Sequence, residues 1–222
     1  MPSGERVTVF STFVSVNGEV CESHQGSICT FVRFAGCNLR CKWCDTKYAQ
    51  EKDSGISKEI DEVMHIIKRY GCKNVTITGG EPFMQEEALE ALCLRLRSER
   101  CVVSVVTNGS YNFVPIDGVN YVVDFKLPSS GEYMEMKVDT PWMRLIHTDW
   151  IKFVVADNPD YEIAKATMVM LKRKGCKAKF AMSPLHSRLN ANRILQWLKF
   201  DQMFDVVLNL QLHKLVDLNE HD

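Results

Sequence analysis

The sequence contains no apolar run of about 18 residues or more, so we expect no membrane span and no membrane partner. It also lacks a charge surplus: 27 Lys and Arg stand against 28 Asp and Glu, which argues against nucleic acid as a partner. The N-terminal residues 1–6 have no apolar core of the kind that marks a secretory signal. No linker, internal repeat or low-complexity segment divides the 222 residues, which predicts a single domain over 1–222.

The nine cysteines follow no signal sequence, which favours reduced thiols in a cytoplasmic protein over a disulfide framework. Cys37, Cys41 and Cys44 are separated by three and then two residues in a short polar loop, 36–46, after the apolar run 28–34. Thiolates on so short a tether can converge on one metal centre. No fourth ligand follows at metal-site spacing, although structural zinc takes four ligands and an iron–sulfur cluster usually has four thiolates. Three thiolates would leave one iron open to bind and activate a substrate.

Two other interpretations of this loop are open. A zinc knuckle would take a distant fourth ligand such as Cys29 or His24. Unrelated core thiols would have to lie among charged residues, which buried structural cysteines have no reason to do. The three-cysteine cluster is the interpretation that the pattern favours.

Apolar runs and helical periodicities alternate along the chain. Strands are predicted over residues 7–16, 28–34, 74–78, 101–106, 120–125, 150–155, 177–182 and 206–210, and helices from an N-cap at Ser57 and over 85–97, 159–173 and 188–200. About six βα units of this kind imply a parallel sheet, and eight would not fit in 222 residues. We therefore predict an α/β fold, a partial, open TIM-like barrel. Polar motifs follow the C-terminal ends of the strands, which is the edge that carries the active site in such folds.

The three-then-two cysteine spacing, with Trp43 before the last cysteine, resembles the radical S-adenosylmethionine (SAM) superfamily. The longer string from Phe31 to Thr46 resembles, within it, the 7-carboxy-7-deazaguanine synthases of queuosine and 7-deazapurine biosynthesis. The resemblance runs from about Val9 to Lys214 and is dense only around the cysteine loop. It implies the radical SAM core fold and three cofactors: a 4Fe–4S cluster, SAM and Mg2+.

The resemblance also implies the reaction, that of a carbon–nitrogen lyase. One electron cleaves SAM to a 5′-deoxyadenosyl radical, which abstracts a hydrogen atom from 6-carboxy-5,6,7,8-tetrahydropterin. Ring contraction with loss of ammonia gives 7-carboxy-7-deazaguanine, and SAM is regenerated, so no side chain acts as the catalyst. The implied partners are a flavodoxin or ferredoxin as electron donor and a second copy in a homodimer.

Site residues are carried over from the family position by position. The expected cluster ligands are Cys37, Cys41 and Cys44, and the expected Mg2+ ligand is Thr46. The expected SAM contacts are Trp43, Gly79, Gly80, Glu81, Thr107, Asn108, Lys126 and Ser129. The expected substrate contacts are Asn17, Gly18, Glu19, Arg33, Asp45 and His213, and the C-terminal segment 201–222 is expected to close the substrate site.

The chemistry of the residues is compatible with three of the roles that the resemblance implies. Glycines at positions 79 and 80 let the backbone approach the methionine end of SAM closely. Arg33 is a charged residue in an apolar strand, which is costly to bury unless paired, and its guanidinium suits a substrate carboxylate. The oxygen atoms of Asp45 and Thr46 are of the kind that Mg2+ prefers.

The sequence departs from the family pattern at Asn17 and Ser183, where the family has glutamine, at Val20, where the family has glycine, and in its acidic tail, residues 216–222. These departures leave room for a changed substrate. Two other functions stay open. A glycyl-radical activating enzyme shares the three-cysteine loop, but its substrate is a polypeptide. An iron–sulfur electron-transfer or regulatory protein would need no SAM pocket.

Overall fold

One nine-stranded sheet organises the chain in a computed structural model that describes residues 5–136, 140–186 and 188–212. Its strands are β1 (Arg6–Val16), β2 (Ile28–Phe34), β3 (Ile56–Glu59), β4 (Asn74–Gly79), β5 (Val102–Thr107), β6 (Asn120–Phe125), β7 (Trp150–Val155), β8 (Lys179–Pro184) and β9 (Val206–Leu208). The helices are α1 (Ile60–Tyr70), α2 (Glu86–Ser98), α3 (Thr140–Arg144), α4 (Asn158–Arg173) and α5 (Ala191–Phe200). None of the helices within these residues is long and apolar enough to cross a membrane.

The sheet runs in the order β3-β1-β2-β4-β5-β6-β7-β8-β9 and stays open. From β2 through β4 to β9 every neighbouring pair is parallel, whereas β1 pairs antiparallel with both β2 and β3. The predicted α/β class and the open, mostly parallel sheet are therefore confirmed. No helix was predicted between residues 106 and 120, and the connection from β5 to β6, described throughout, contains none.

The predicted N-cap at Ser57 is wrong. Ser57 lies in β3, which pairs with the first residues of β1, and α1 begins two residues later than expected. Glu59 is the N-cap, and it forms a reciprocal capping box with Glu62, since each side chain bonds the other's backbone N–H. The helix ends at Gly71, whose φ of 70° is the left-handed conformation that favours glycine.

The two faces of the sheet differ in chemistry because side chains alternate along each strand. The outer face packs against the helices and carries the main apolar core, which includes Val75, Ile77, Val103, Val105, Ile151 and Phe153. The opposite face, called the inner face below, carries a row of polar side chains: Arg33, Thr76, Ser104, Asp124, Lys152 and Ser183. Because buried polar groups need partners or a ligand, this row marks the inner face as the functional one.

The loop between β1 and β2, residues 17–27, crosses the inner face. Its Val20 and Cys21 pack against Val122 and Ala181 on the inner face of β6 and β8. Farther along, Gln25 Nε2 donates hydrogen bonds to groups that follow β9, at the far edge of the sheet. The β1–β2 loop thereby spans the open side of the partial barrel.

Candidate functional site

The cysteine loop, residues 36–46, leaves the C-terminal end of β2 and packs against the turn that follows β4. Gly80 N donates to Phe34 O at 3.0 Å, and Glu81 N donates to Gly36 O at 2.8 Å. Neighbouring strands β2 and β4 are parallel, so both segments leave the sheet at the same edge. Backbone hydrogen bonds thus join the cysteine loop to the turn that contains Gly79, Gly80 and Glu81.

Close backbone contact explains the two glycines of this turn. A Cβ atom on Gly80 would lie 1.9 Å from Gly36 O, and one on Gly79 would lie 2.2 Å from Phe34 O. Gly79 also has a φ of +127°, which other residues rarely adopt. From the sequence, both glycines were predicted to allow a ligand to approach the backbone closely. In the structure, the packing of the cysteine loop against the turn already requires glycine at both positions.

The three cysteine sulfurs lie in a partly buried, hydrogen-bonding environment. Leu39 N donates to Cys37 Sγ at 3.5 Å, and Thr46 N donates to Cys44 Sγ at 3.4 Å. Burial raises the pKa of the Cys37 thiol and raises that of Cys41 to about 11. The Cys44 thiol also raises the pKa of both Cys37 and Cys41.

Lys126 supplies the positive charge beside these thiols. It lowers the pKa of both Cys37 and Cys41 against the effect of burial, and so favours the thiolates that an iron–sulfur cluster requires. Cys29, the alternative distant zinc ligand, lies in β2 with its Sγ 3.0 Å from Thr76 Oγ1. Among the described residues, no three His, Cys, Asp or Glu side chains form a group that could hold a single metal ion. The donor set, three thiols in one loop beside a lysine, suits a cluster with one iron left open.

Glu81 joins the two polar turns. Its carboxylate is fully buried and accepts hydrogen bonds from Phe83 N at 3.1 Å, Thr107 Oγ1 at 2.7 Å and Asn108 N at 2.6 Å. Burial raises the pKa of Glu81, although these hydrogen bonds act in the opposite direction. Asn108 Nδ2 in turn donates to Asn38 Oδ1 in the cysteine loop at 3.0 Å. The Glu81 side chain therefore links the turn after β4 to the turn after β5, and its oxygens are used in that link.

Replacing Glu81 with glutamine is expected to destabilise the protein by about 2 kcal/mol, because one buried N–H would then face an amide NH2 group. Urea denaturation of the cluster-free protein measures this difference. Glu90→Gln, on the exposed side of α2, is the matched control and is expected to leave the unfolding midpoint unchanged. Equal midpoints for all three proteins would contradict the role given to Glu81.

The segment that follows β6 forms a third part of the site, beside the cysteine loop and the turns after β4 and β5. Lys126 Nζ lies 5.4 Å from the centre of the Trp43 ring, and Trp43 Nε1 donates to Ser129 Oγ at 3.2 Å. Ser129 N donates to Asp160 Oδ1 at 3.1 Å, which ties this segment to the start of α4. Trp43 also packs against the buried cluster of Val154, Ala156 and Leu185. The structure thus brings together the predicted SAM contacts Trp43, Lys126 and Ser129.

A chain of alternating charges crosses the inner face. Lys152 Nζ lies 2.8 and 2.7 Å from the two carboxylate oxygens of Glu19, and 3.7 Å from Asp124 Oδ2. Lys126 Nζ lies 3.0 Å from the same Asp124 oxygen, and Asp124 Oδ1 is buried without a hydrogen bond to any described residue. Lys152 and Asp124 were not among the predicted site residues, although each is a charged residue inside an apolar strand, as Arg33 is.

The remaining predicted substrate contacts lie around this chain of charges. The Arg33 guanidinium, half-buried on β2, lies 4.9 Å from the ring centre of Phe13 and 5.3 Å from that of Tyr48. Gly18 O accepts a hydrogen bond from Gln25 Nε2 at 2.9 Å. His213 lies outside the described residues.

Asn17 is fully buried, and its amide is used within the β1–β2 loop. Its Nδ2 lies 2.9 Å from Cys21 Sγ and 3.1 Å from His24 O, while its Oδ1 accepts from Glu19 N at 3.1 Å. Asn17 therefore stabilises the loop that carries Glu19, and its amide does not project from that loop.

Ser183 also has internal partners. Its Oγ donates to Asn209 O at 2.7 Å and accepts from Asn209 Nδ2 at 2.8 Å, and Asn209 Oδ1 accepts from Gln25 Nε2 at 3.0 Å. Two of the positions that depart from the family pattern, 17 and 183, therefore both support the β1–β2 loop.

Asp45 and Thr46 place oxygen atoms directly after the last cysteine. Thr46 Oγ1 donates to Asp45 Oδ1 at 2.9 Å, and Asp45 is exposed. Two adjacent oxygen donors at the edge of a site fit an Mg2+ ion that takes its other ligands from substrate and water.

Comparison with known proteins gives concordant results. The model of the radical SAM superfamily matches residues 31–200. The chain is 37% identical over 213 residues to the 7-carboxy-7-deazaguanine synthase of Clostridium acetobutylicum, covering 94% of this chain and 95% of the relative. It is 33% identical over 219 residues to the enzyme of that name from Chlorobaculum tepidum, covering 95% and 94%.

Two solved structures share the fold. QueE from Escherichia coli superimposes with a TM-score of 0.72 at 20% identity, covering 93% of this chain and 94% of that chain. SuiB from Streptococcus suis, bound to precursor peptide SuiA, gives a TM-score of 0.55 at 13% identity, covering 79% and 46%.

Proposed function

Because the chain belongs to the radical SAM superfamily and, within it, to the family of 7-carboxy-7-deazaguanine synthases, we propose that it converts 6-carboxy-5,6,7,8-tetrahydropterin into 7-carboxy-7-deazaguanine with loss of ammonia. It is a radical SAM lyase that uses a 4Fe–4S cluster, SAM and Mg2+ and acts on a small molecule. One observation carries this proposal: Glu81 joins the turn after β4 to the turn after β5, and both contact the cysteine loop.

Cys37, Cys41 and Cys44 would hold the cluster and leave one iron open for SAM. When bound, the cluster and SAM would supply radical chemistry to the substrate. The chain's own residues bind and orient both reactants and exclude water. Lys126 provides positive charge beside the cysteines. By lowering the pKa of Cys37 and Cys41, it increases the fraction of each that is thiolate before the cluster is assembled.

SAM would lie along the three segments that meet at the cysteine loop. The proposed contacts are Trp43, Gly79, Gly80, Glu81, Thr107, Asn108, Lys126 and Ser129. For Glu81 and Thr107 the contribution is mainly indirect, since their side chains bond each other and keep the two turns in place. Backbone atoms of the turn and the side chains of Asn108, Trp43 and Ser129 would contact SAM itself.

The substrate would lie on the inner face between the cysteine loop and the β1–β2 loop. Arg33 would bind its carboxylate with two parallel hydrogen bonds, and Glu19 would accept hydrogen bonds from its ring N–H groups. Gly18 and Asn17 shape the loop that carries Glu19. His213 would contact the substrate from the C-terminal segment 201–222, and the bonds of Asn209 to Ser183 and Gln25 support closure by that segment.

Thr46 would coordinate Mg2+ through its hydroxyl, next to the Asp45 carboxylate. Thr46→Val keeps the shape of the side chain but removes the oxygen, so the Mg2+ concentration for half-maximal activity is expected to rise at least about tenfold. Thr46→Ser, which keeps the hydroxyl, is the control and is expected to behave like the wild type. An unchanged Mg2+ requirement in Thr46→Val would exclude Thr46 as a ligand.

Further properties extend the proposal. The chain would be one domain over residues 1–222, in the cytoplasm, where its thiols are kept reduced. A flavodoxin or ferredoxin would supply the electron, and two copies would form a homodimer.

The test is anaerobic incubation of the cluster-reconstituted protein with a reductant, SAM, Mg2+ and 6-carboxy-5,6,7,8-tetrahydropterin. Formation of 7-carboxy-7-deazaguanine with SAM retained is the expected result. Release of 5′-deoxyadenosine without that product would leave the superfamily assignment intact and overturn the substrate.

A further inference from the structure

Lys152 is a buried charge that no role assigned so far explains. It lies in the middle of β7, in an otherwise apolar strand, and only 5% of its side chain is exposed. A buried ammonium group is costly unless it is fully paired, and an apolar residue of similar size would often be as stable or more so. The cost indicates that Lys152 does something other than stabilise the fold.

The partners of Lys152 are acidic groups from two directions. Glu19 on the β1–β2 loop offers both carboxylate oxygens at 2.8 and 2.7 Å, and Asp124 on β6 lies 3.7 Å away. Asp124 is shared with Lys126, so the four side chains carry two positive and two negative charges. Burial lowers the pKa of Lys152, but the carboxylates of Glu19 and Asp124 outweigh it, and the pKa is raised. The ammonium form is therefore the stable one.

Glu19 is held at two points and remains partly open. Its backbone N–H donates to Asn17 Oδ1 at 3.1 Å, and its carboxylate is held by Lys152. The Glu19 side chain is 23% exposed, compared with 5% for Lys152, so the lysine lies behind the carboxylate. A carboxylate has about four lone-pair sites, and Lys152 leaves part of each oxygen available to another donor.

We infer that Lys152 is a positioning residue for substrate: its ammonium group holds the Glu19 carboxylate as an oriented acceptor for the ring N–H groups of the pterin. This inference rests on the proposed function. The pyrimidine part of the substrate presents a ring N–H beside an exocyclic amino group, and two adjacent donors match the two oxygens of one fixed carboxylate. The geometry requires no proton transfer by Lys152 itself.

The variant Lys152→Met removes the charge and keeps most of the volume. The KM for the pterin is expected to rise about 10- to 100-fold, the loss typical of a charge-assisted hydrogen-bond anchor, with kcat within about threefold of wild type. Reductive SAM cleavage without the pterin, driven by dithionite, is expected to be unchanged. Lys165→Met is the matched control, because Lys165 bridges Glu162 and Asp201 on the outside of α4, and its KM should match wild type.

A merely structural role is separated from the proposed one by Glu19→Gln and the double variant Glu19→Gln/Lys152→Met. If Lys152 acts through Glu19, the KM of the double variant equals that of Glu19→Gln within about twofold. The double variant also removes both charges, so the comparison stands if Lys152→Met alone does not fold.

Each outcome decides between the alternatives. An unchanged KM in Lys152→Met, or a further rise of KM in the double variant over Glu19→Gln, would overturn the inference alone. If the wild-type protein forms no 7-carboxy-7-deazaguanine in the assay, both the proposed function and the inference are overturned.

Discussion

Gly80→Ala is expected to prevent the cysteine loop from docking on the sheet and to abolish cluster binding. The new methyl group would lie 1.9 Å from Gly36 O, and the obstructing atom is backbone, which cannot rotate away as a side chain can. We expect a loss of at least about 3 kcal/mol in the free energy of unfolding, at the upper end for overpacked sites. Urea denaturation of the cluster-free protein measures the loss, and iron per chain after reconstitution measures cluster binding.

Gly71→Ala is the matched control for this variant. Gly71 has a φ of +70° and nothing within 4 Å of its added Cβ, so only backbone strain acts there. The expected cost is about 1 kcal/mol, with iron content equal to wild type. If Gly80→Ala were as stable as Gly71→Ala and bound as much iron, the contact between the turn and the cysteine loop would not be needed for the site.

Cys37→Ser is expected to remove the cluster and, with it, product formation. A serine hydroxyl is not a thiolate ligand, and two remaining cysteines cannot hold the cluster in a form that leaves one iron for SAM. Since the cofactor carries the chemistry, we expect product formation to fall by at least about 1,000-fold. Iron and sulfide per chain and the charge-transfer absorption of the cluster are the measurements.

Cys72→Ser provides the comparison. Cys72 Sγ donates to Ile28 O at 3.3 Å, a contact that a serine hydroxyl can keep, and it lies at the other end of the sheet from the cysteine loop. Its iron content and activity should equal those of the wild type. Loss of the cluster in both variants would mean that the three-residue ligand set is incomplete.

The fold was largely predictable because the central strands are continuous apolar runs. β2, β6 and β7 coincide with the predicted residues 28–34, 120–125 and 150–155, and the other parallel strands differ from prediction only at their ends. β3 could not be found in the same way. Its four residues, Ile56–Glu59, contain one apolar side chain, and they form a strand only because β1 offers a free edge. Such pairing depends on distant sequence, which local patterns do not encode.

The candidate site likewise has parts that local sequence predicts and parts that depend on distant residues. The cysteine loop and the turn after β4 are local motifs, and residue type and spacing were enough to select them. Their supports are not local: Glu81 accepts from Thr107, 26 residues away, and Lys152 binds Glu19, 133 residues away. Charge within the apolar strand β7 could have identified Lys152 as unusual. Only the three-dimensional arrangement could identify Glu19 as its partner.

The path of the β1–β2 loop has a consequence for the order in which the molecule can be assembled. The hydrogen bonds from the cysteine loop to the turns after β4, β5 and β6 are made with residues up to Glu132, so these bonds can form while later strands are still being synthesised. The substrate side of the site, which the β1–β2 loop covers, can form only after the C-terminal strands have been synthesised. Gln25 binds Asn209, 184 residues farther along, and contacts over such separations form slowly. A nascent chain would therefore be able to accept iron before it can enclose a pterin.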